Sequence, residues 1–190
     1  ELNKLKEKKL SNDFLVLENN KLRELINETI KSEDVYAKVL VDKDSPYLKS
    51  IVLNKGSKDN VKIGMAILDS SYLVGKIIEV NYTNSRALLL SDLNSKIPVL
   101  LEPIDIHAVL SGTGKNYGVI EYTKDDYKQK LTSDEIIVYT SGYGGLFKPG
   151  LPVGKIITND LNKDSEVNFF SDFRQLDYVK IVSYEIGSGY

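Results

Sequence analysis

The chain has 190 residues, 42% of them hydrophobic, with 27 acidic against 25 basic side chains and a formal net charge of −2. This suits one ample core or two small ones rather than a disordered tail, and interspersed near-neutral charge argues against general binding to nucleic acid or anionic lipid. Cysteine is absent, which excludes a disulfide framework and any thiolate zinc site.

No stretch reaches the ~18 to 20 apolar residues of a bilayer span, because Ile97-Pro98-Val99-Leu100-Leu101 is stopped by Glu102 and Pro103. The opening Glu1-Leu2-Asn3-Lys4-Leu5-Lys6 reads as the middle of a helix, so we expect a piece of a longer protein with a signal or membrane anchor upstream.

Residues 1–33 lack Gly and Pro and place Leu10, Phe14 and Leu17, then Leu15, Leu22 and Leu25, near helical spacing. The best heptad seam runs through Leu15, Leu22 and Leu25, with Glu18 and Thr29 at its other positions. This predicts a terminal coiled-coil type helix for self-association, with Leu15, Leu22 and Leu25 as candidate oligomerisation residues. The competing reading is a helix docked by its apolar stripe on its own domain.

From Asp34 the period becomes two, with Val35, Ala37, Val39 and Val41 alternating with Tyr36, Lys38 and Leu40. Further short runs are predicted as strands at 51–53, 66–68, 73–80, 87–90, 97–101 and 106–110, then at 119–122, 136–140, 153–157, 167–170 and 178–184. Short strands between turn residues, without helical period between them, predict an antiparallel barrel or sandwich.

An internal repeat organises these strands. Val52-Leu53-Asn54-Lys55-Gly56 and Val61-Lys62-Ile63-Gly64-Met65 match Val138-Tyr139-Thr140-Ser141-Gly142 and Phe147-Lys148-Pro149-Gly150-Leu151, with the glycines eight apart in both copies. Each block is followed by one pentapeptide, Val74-Gly75-Lys76-Ile77-Ile78 and Val153-Gly154-Lys155-Ile156-Ile157, with a longer hairpin expected before the first. The expected fold is mainly β: two small barrels related by internal duplication, preceded by the N-terminal helix. The expected domains are 1–33 (helix), 34–105 (first barrel) and 106–190 (second barrel), with exchange of strands between barrels left open. Gly56, Gly64, Gly75, Gly142, Gly150 and Gly154 are expected at turns that a Cβ would disfavour.

Candidate chemistry is sparse. Thr140-Ser141-Gly142-Tyr143-Gly144-Gly145 has the look of a glycine-flanked nucleophile, but a triad needs a histidine, and the chain's one histidine, His107, stands 34 residues before Ser141 on an alternating run. Gly112-Thr113-Gly114-Lys115-Asn116 fails the phosphate-loop spacing, since Val109 and Asn116 stand where glycine and a hydroxyl are required, and reads as a β-turn. The carboxylate pairs Asp125-Asp126 and Asp134-Glu135 read as solvated turns, without a calcium-loop pattern. Twelve tyrosines suit either half-buried barrel walls or a partner surface. No catalytic residue, metal or cofactor is expected.

The segment Leu17-Glu18-Asn19-Asn20-Lys21-Leu22-Arg23-Glu24-Leu25-Ile26, then Asn54-Lys55-Gly56-Ser57, then Leu73-Val74-Gly75-Lys76-Ile77, resembles the MreC rod-shape-determining family in the family's order. Residues 140–156, from Thr140-Ser141-Gly142-Tyr143-Gly144-Gly145 through Phe147-Lys148-Pro149-Gly150 to Pro152-Val153-Gly154-Lys155-Ile156, resemble its most specific signature. The resemblance implies a non-enzymatic scaffold, single-pass in the inner or plasma membrane, with this region in the periplasm or outside the cell. It also implies self-association, binding to a class B penicillin-binding transpeptidase, and a complex with MreD, RodA and MreB that directs peptidoglycan synthesis. Two other classes stay open on the residues alone: a twin-barrel secreted hydrolase and a stalked surface-binding module.

Overall fold

In a computed structural model of the chain the described residues are 15, 34–44, 49–123, 135–157 and 166–183. All but Leu15 belong to one compact unit, Glu33–Ser183. They form twelve strands: β1 Asp34–Asp44, β2 Lys49–Leu53, β3 Ala66–Asp69, β4 Tyr72–Val80, β5 Ser85–Leu89, β6 Lys96–Glu102, β7 Ile106–Gly112, β8 Tyr117–Thr123, β9 Glu135–Thr140, β10 Pro152–Ile157, β11 Glu166–Phe169 and β12 Tyr178–Val182.

Alternation decides what faces inward. In β1, Ala37 is buried between exposed Tyr36 and Lys38, and in β6 Ile97, Val99 and Leu101 are buried while Pro98 and Leu100 are half-buried. Leu53, Ile67, Ile77 and Ile181 fill one barrel, and Val99, Leu101, Ile136, Val138 and Ile156 the other, all exposed by 1% or less. Each such side chain contributes about 1.5–3 kcal/mol of apolar burial, which suits a fold without disulfides.

Both sheets close into antiparallel barrels. Around one ring the order is β12, β1, β2, β5, β4, β3; around the other it is β6, β7, β8, β11, β10, β9. These orders are the same topology with the start of the first shifted, so that its leading strand, β12, comes from the C-terminal end of the described chain. The first barrel therefore brackets the second in sequence.

This corrects the expected division at 105/106. Strand β6 belongs to the second barrel and β12 to the first. Without β12, β1 and β3 would each present an unpaired edge, and the pairings Tyr36 with Lys180 and Ile67 with Ile181 close that gap. The crossing between barrels is the turn after β5, not a hairpin near residue 105.

The ring correspondence places β4 on β10, the strands that carry the repeated pentapeptide. Gly75 stands opposite Leu89 and Gly154 opposite Phe169. A Cβ would lie 2.1 Å from the Leu88 carbonyl oxygen at Gly75, and 2.3 Å from the Asn168 carbonyl oxygen at Gly154. These two glycines are thus required for close approach of neighbouring strands, not for turns as expected from sequence.

The paired glycine blocks are another matter. The first leads into β3 and the second into β10, which occupy different ring positions, and the supposed longer hairpin contains all of β3. Locally the two blocks still agree: each has a 3-10 turn (Ser57–Asp59, Tyr143–Gly145), a buried Val61 or Phe147, and a left-handed Gly64 (φ 91°) or Gly150 (φ 84°). Gly56 and Gly142 do not match, with φ of −140° and 77°. A similar short sequence makes a similar turn wherever it falls.

The barrels are joined through the segment after β5. The Leu90 N–H donates to the Val74 carbonyl at 3.0 Å and the Gly112 N–H to the Ser95 carbonyl at 3.0 Å. Asp92, fully buried, accepts from the Lys49 and Asn94 backbone N–H groups at 2.7 Å each. Buried polar groups with partners fix a connection in one geometry. Tyr72 of the first barrel packs on Phe170 beside the second, with ring centroids 5.0 Å apart.

Candidate partner-binding surface

The loop between β9 and β10 is built from the glycine-rich signature. Thr140, 1% exposed, donates its hydroxyl hydrogen to the Lys148 carbonyl at 2.5 Å and accepts from the Leu151 N–H at 2.9 Å. Backbone bonds from Gly150 N–H to the Thr140 carbonyl (2.8 Å) and from Thr140 N–H to the Leu151 carbonyl (2.9 Å) close the same neck. Phe147 is buried beneath the loop, while Tyr143 (65% exposed) and Leu146 (44% exposed) stand out from it.

Gly142, at φ 77°, starts the 3-10 turn that turns Tyr143 outward, and its position lies against the Pro149 ring. The Tyr143 ring meets His107 edge-on at a centroid distance of 5.1 Å. Tyrosine with an apolar body exposed and its tip in water is well suited to a protein partner.

Leu146 also reaches a cleft of about 340 Å³ whose other wall is the first barrel: Ile63, Lys76, Ile77 and Ile78. Ile63 is 70% exposed and sits in the turn before β3. The two local glycine blocks thus meet at one place, the first offering Ile63 and the second Leu146.

The other sequence candidates fall as follows. Leu15 is helical and exposed; Leu22 and Leu25 lie outside the described residues, as do the other residues of 1–33 for which a helix is expected. Gly64 and Gly150 sit in left-handed turns, Gly142 begins the loop, and Gly56 opens the Ser57–Asp59 turn where a Cβ would lie 2.3 Å from the Asn81 carbonyl oxygen, while Gly75 and Gly154 are close-approach positions within strands. Ser141 and His107 both neighbour Tyr143 without forming a nucleophile and base: the Ser141 hydroxyl accepts from the Tyr143 N–H at 3.3 Å, and His107 contacts the Tyr143 ring. The Gly112–Asn116 stretch is the β7–β8 turn, held by the Thr113 hydroxyl donating to the Tyr117 carbonyl. Asp125, Asp126 and Asp134 lie outside the described residues, and Glu135 pairs with Lys155 at 2.7 Å.

Sequence reasoning missed Thr140, Phe147 and the Ile63 and Leu146 walls of the cleft. Thr140 ends an alternating run with Ile136 and Val138, which was the available sign that its side chain points inward.

Residues 39–183 match the family model of the rod shape-determining protein MreC, barrel core. The chain belongs to the MreC family. Among MreC relatives, the cell shape-determining protein of Haemophilus influenzae is 33% identical over 162 residues, covering 84% of this chain and 44% of that protein. That of Cereibacter sphaeroides is 33% identical over 144 residues, covering 76% of this chain and 47% of that protein. The chain thus spans a little under half the length of these relatives.

Solved MreC structures share the fold. MreC of Listeria monocytogenes has a TM-score of 0.80 at 21% identity, covering 100% of this chain and 95% of that one. A major periplasmic domain from the cell shape-determining filament MreC has a TM-score of 0.68 at 18% identity, covering 83% and 99%. MreC in a complex with the penicillin-binding protein PBP2 of Helicobacter pylori has a TM-score of 0.57 at 14% identity, covering 80% and 99%. At these identities the likeness is one of fold.

Proposed function

We propose that this chain is the extracytoplasmic part of a membrane-anchored, non-enzymatic cell-shape scaffold. It self-associates through residues 1–33 and holds a class B penicillin-binding transpeptidase of the peptidoglycan-elongation machinery, in a complex with MreD, RodA and MreB. The observation that carries this reading is the signature loop, a closed and anchored platform that presents Tyr143 and Leu146 to solvent.

Two further points support it. Closed barrels offer no free strand edge for pairing, so a partner engages side chains and loops. The Helicobacter pylori relative was solved with PBP2, and another relative is described as a filament with a periplasmic domain. The test is capture of a class B transpeptidase ectodomain by the immobilised chain: retention is expected, and an ectodomain that passes through unretained overturns the reading.

A further inference from the structure

The pentapeptide is identical in β4 and β10, yet its two lysines are treated differently. Lys155 in β10 forms an ion pair with Glu135 at 2.7 Å. Lys76, its counterpart in β4, stands opposite Ala66 on one side and Leu88 on the other, and no carboxylate pairs with it among the described residues. It lines the cleft together with Ile63, Ile78 and Leu146. Lys76 is half-buried beside these apolar side chains, and a carboxylate arriving with its own apolar surface can pair with it while covering them.

We propose that the cleft between the barrels takes an apolar segment of the partner protein that carries a carboxylate, the apolar part lying on Ile63, Ile78 and Leu146 and the carboxylate pairing with Lys76. This rests on the proposed transpeptidase partner for the identity of the protein, but not for the chemistry of the cleft. Charge complementarity supports this: Lys155 of the second barrel is paired with Glu135, whereas Lys76 of the first has no carboxylate partner among the described residues.

Two measurements keep the chemistry and the partner distinguishable. In the first, octanoate and octylammonium are titrated into the full chain carrying 13C-labelled isoleucine methyls. Saturable shifts of Ile63 and Ile78 with octanoate, absent with octylammonium and absent in Lys76→Met, support the proposal; equal shifts with both probes, or none, overturn it. In the second, the transpeptidase ectodomain is titrated against the chain and its variants. Lys76→Glu and Leu146→Asp are expected to weaken binding by roughly tenfold or more, Lys76→Met by less with a flattened salt dependence, and the exposed control Tyr82→Ser not at all. Wild-type affinity in folded Lys76→Glu overturns the cleft as the docking place. An ectodomain that binds no variant and no wild type overturns the transpeptidase reading, while the octanoate result still decides the cleft.

Discussion

The hydroxyl of Thr140 ties both ends of the eleven-residue β9–β10 loop at once, so its loss removes the bonds to the Lys148 carbonyl and the Leu151 N–H together. Thr140→Val keeps the shape and removes the bonds; unfolding stability is expected to fall by about 1–3 kcal/mol, measured by denaturant titration. At Gly154 the added methyl of Gly154→Ala would meet the Asn168 carbonyl oxygen, and a loss of about 1–3 kcal/mol is expected in the same assay. Asp59 shows the acid side of stability. The Lys55 ammonium at 3.0 Å, with the Gly56 N–H, holds its carboxyl below the ordinary carboxylate range. A lowered folded-state pKa stabilises the turn above the unfolded value of 3.8 and loses that contribution as pH falls through the folded value. The melting temperature of wild type should therefore exceed that of Asp59→Asn at neutral pH, with the gap closing on acidification below about pH 4; a gap that stays constant contradicts this. At this scale the sequence marked Gly75 and Gly154 as special but not why, because close approach of a neighbouring strand depends on pairing that no local pattern records.

Among elements, strands were the most legible. Alternation such as Ile97, Val99 and Leu101, or Ile136 and Val138, is imposed by the pleat itself, and every strand foreseen from these runs is present. Ring order was not legible, because closing a barrel joins β12 to β1 and β3 across more than a hundred residues, and nothing within β12 names its neighbours. The repeat was half legible: the pentapeptide strands correspond in topology, while the glycine blocks share only a local turn. The 1–33 segment invites its own test. If Leu22 and Leu25 form a seam, replacing both by lysine should shift the chain to its protomer mass in sedimentation equilibrium while leaving the β-sheet circular dichroism unchanged, since each lost seam contact is worth on the order of 1 kcal/mol or more. An unchanged mass removes that role.

For the whole molecule, the interleaving of the barrels matters most to function. The second barrel is inserted into the first, and both connections are fixed, one through buried Asp92 and the other near the Tyr72 and Phe170 rings. Ile63 and Leu146, which belong to different barrels, line one cleft. The cleft could not be read from sequence, since its walls come from turns more than eighty residues apart. The central claim is the proposal that this twin-barrel body is a docking platform for a cell-wall transpeptidase. Sedimentation velocity of the chain mixed with a class B transpeptidase ectodomain tests it most directly. The account predicts a boundary faster than either component, lost when Tyr143→Ser and Leu146→Asp are combined in a folded chain; two boundaries that sediment independently would contradict it.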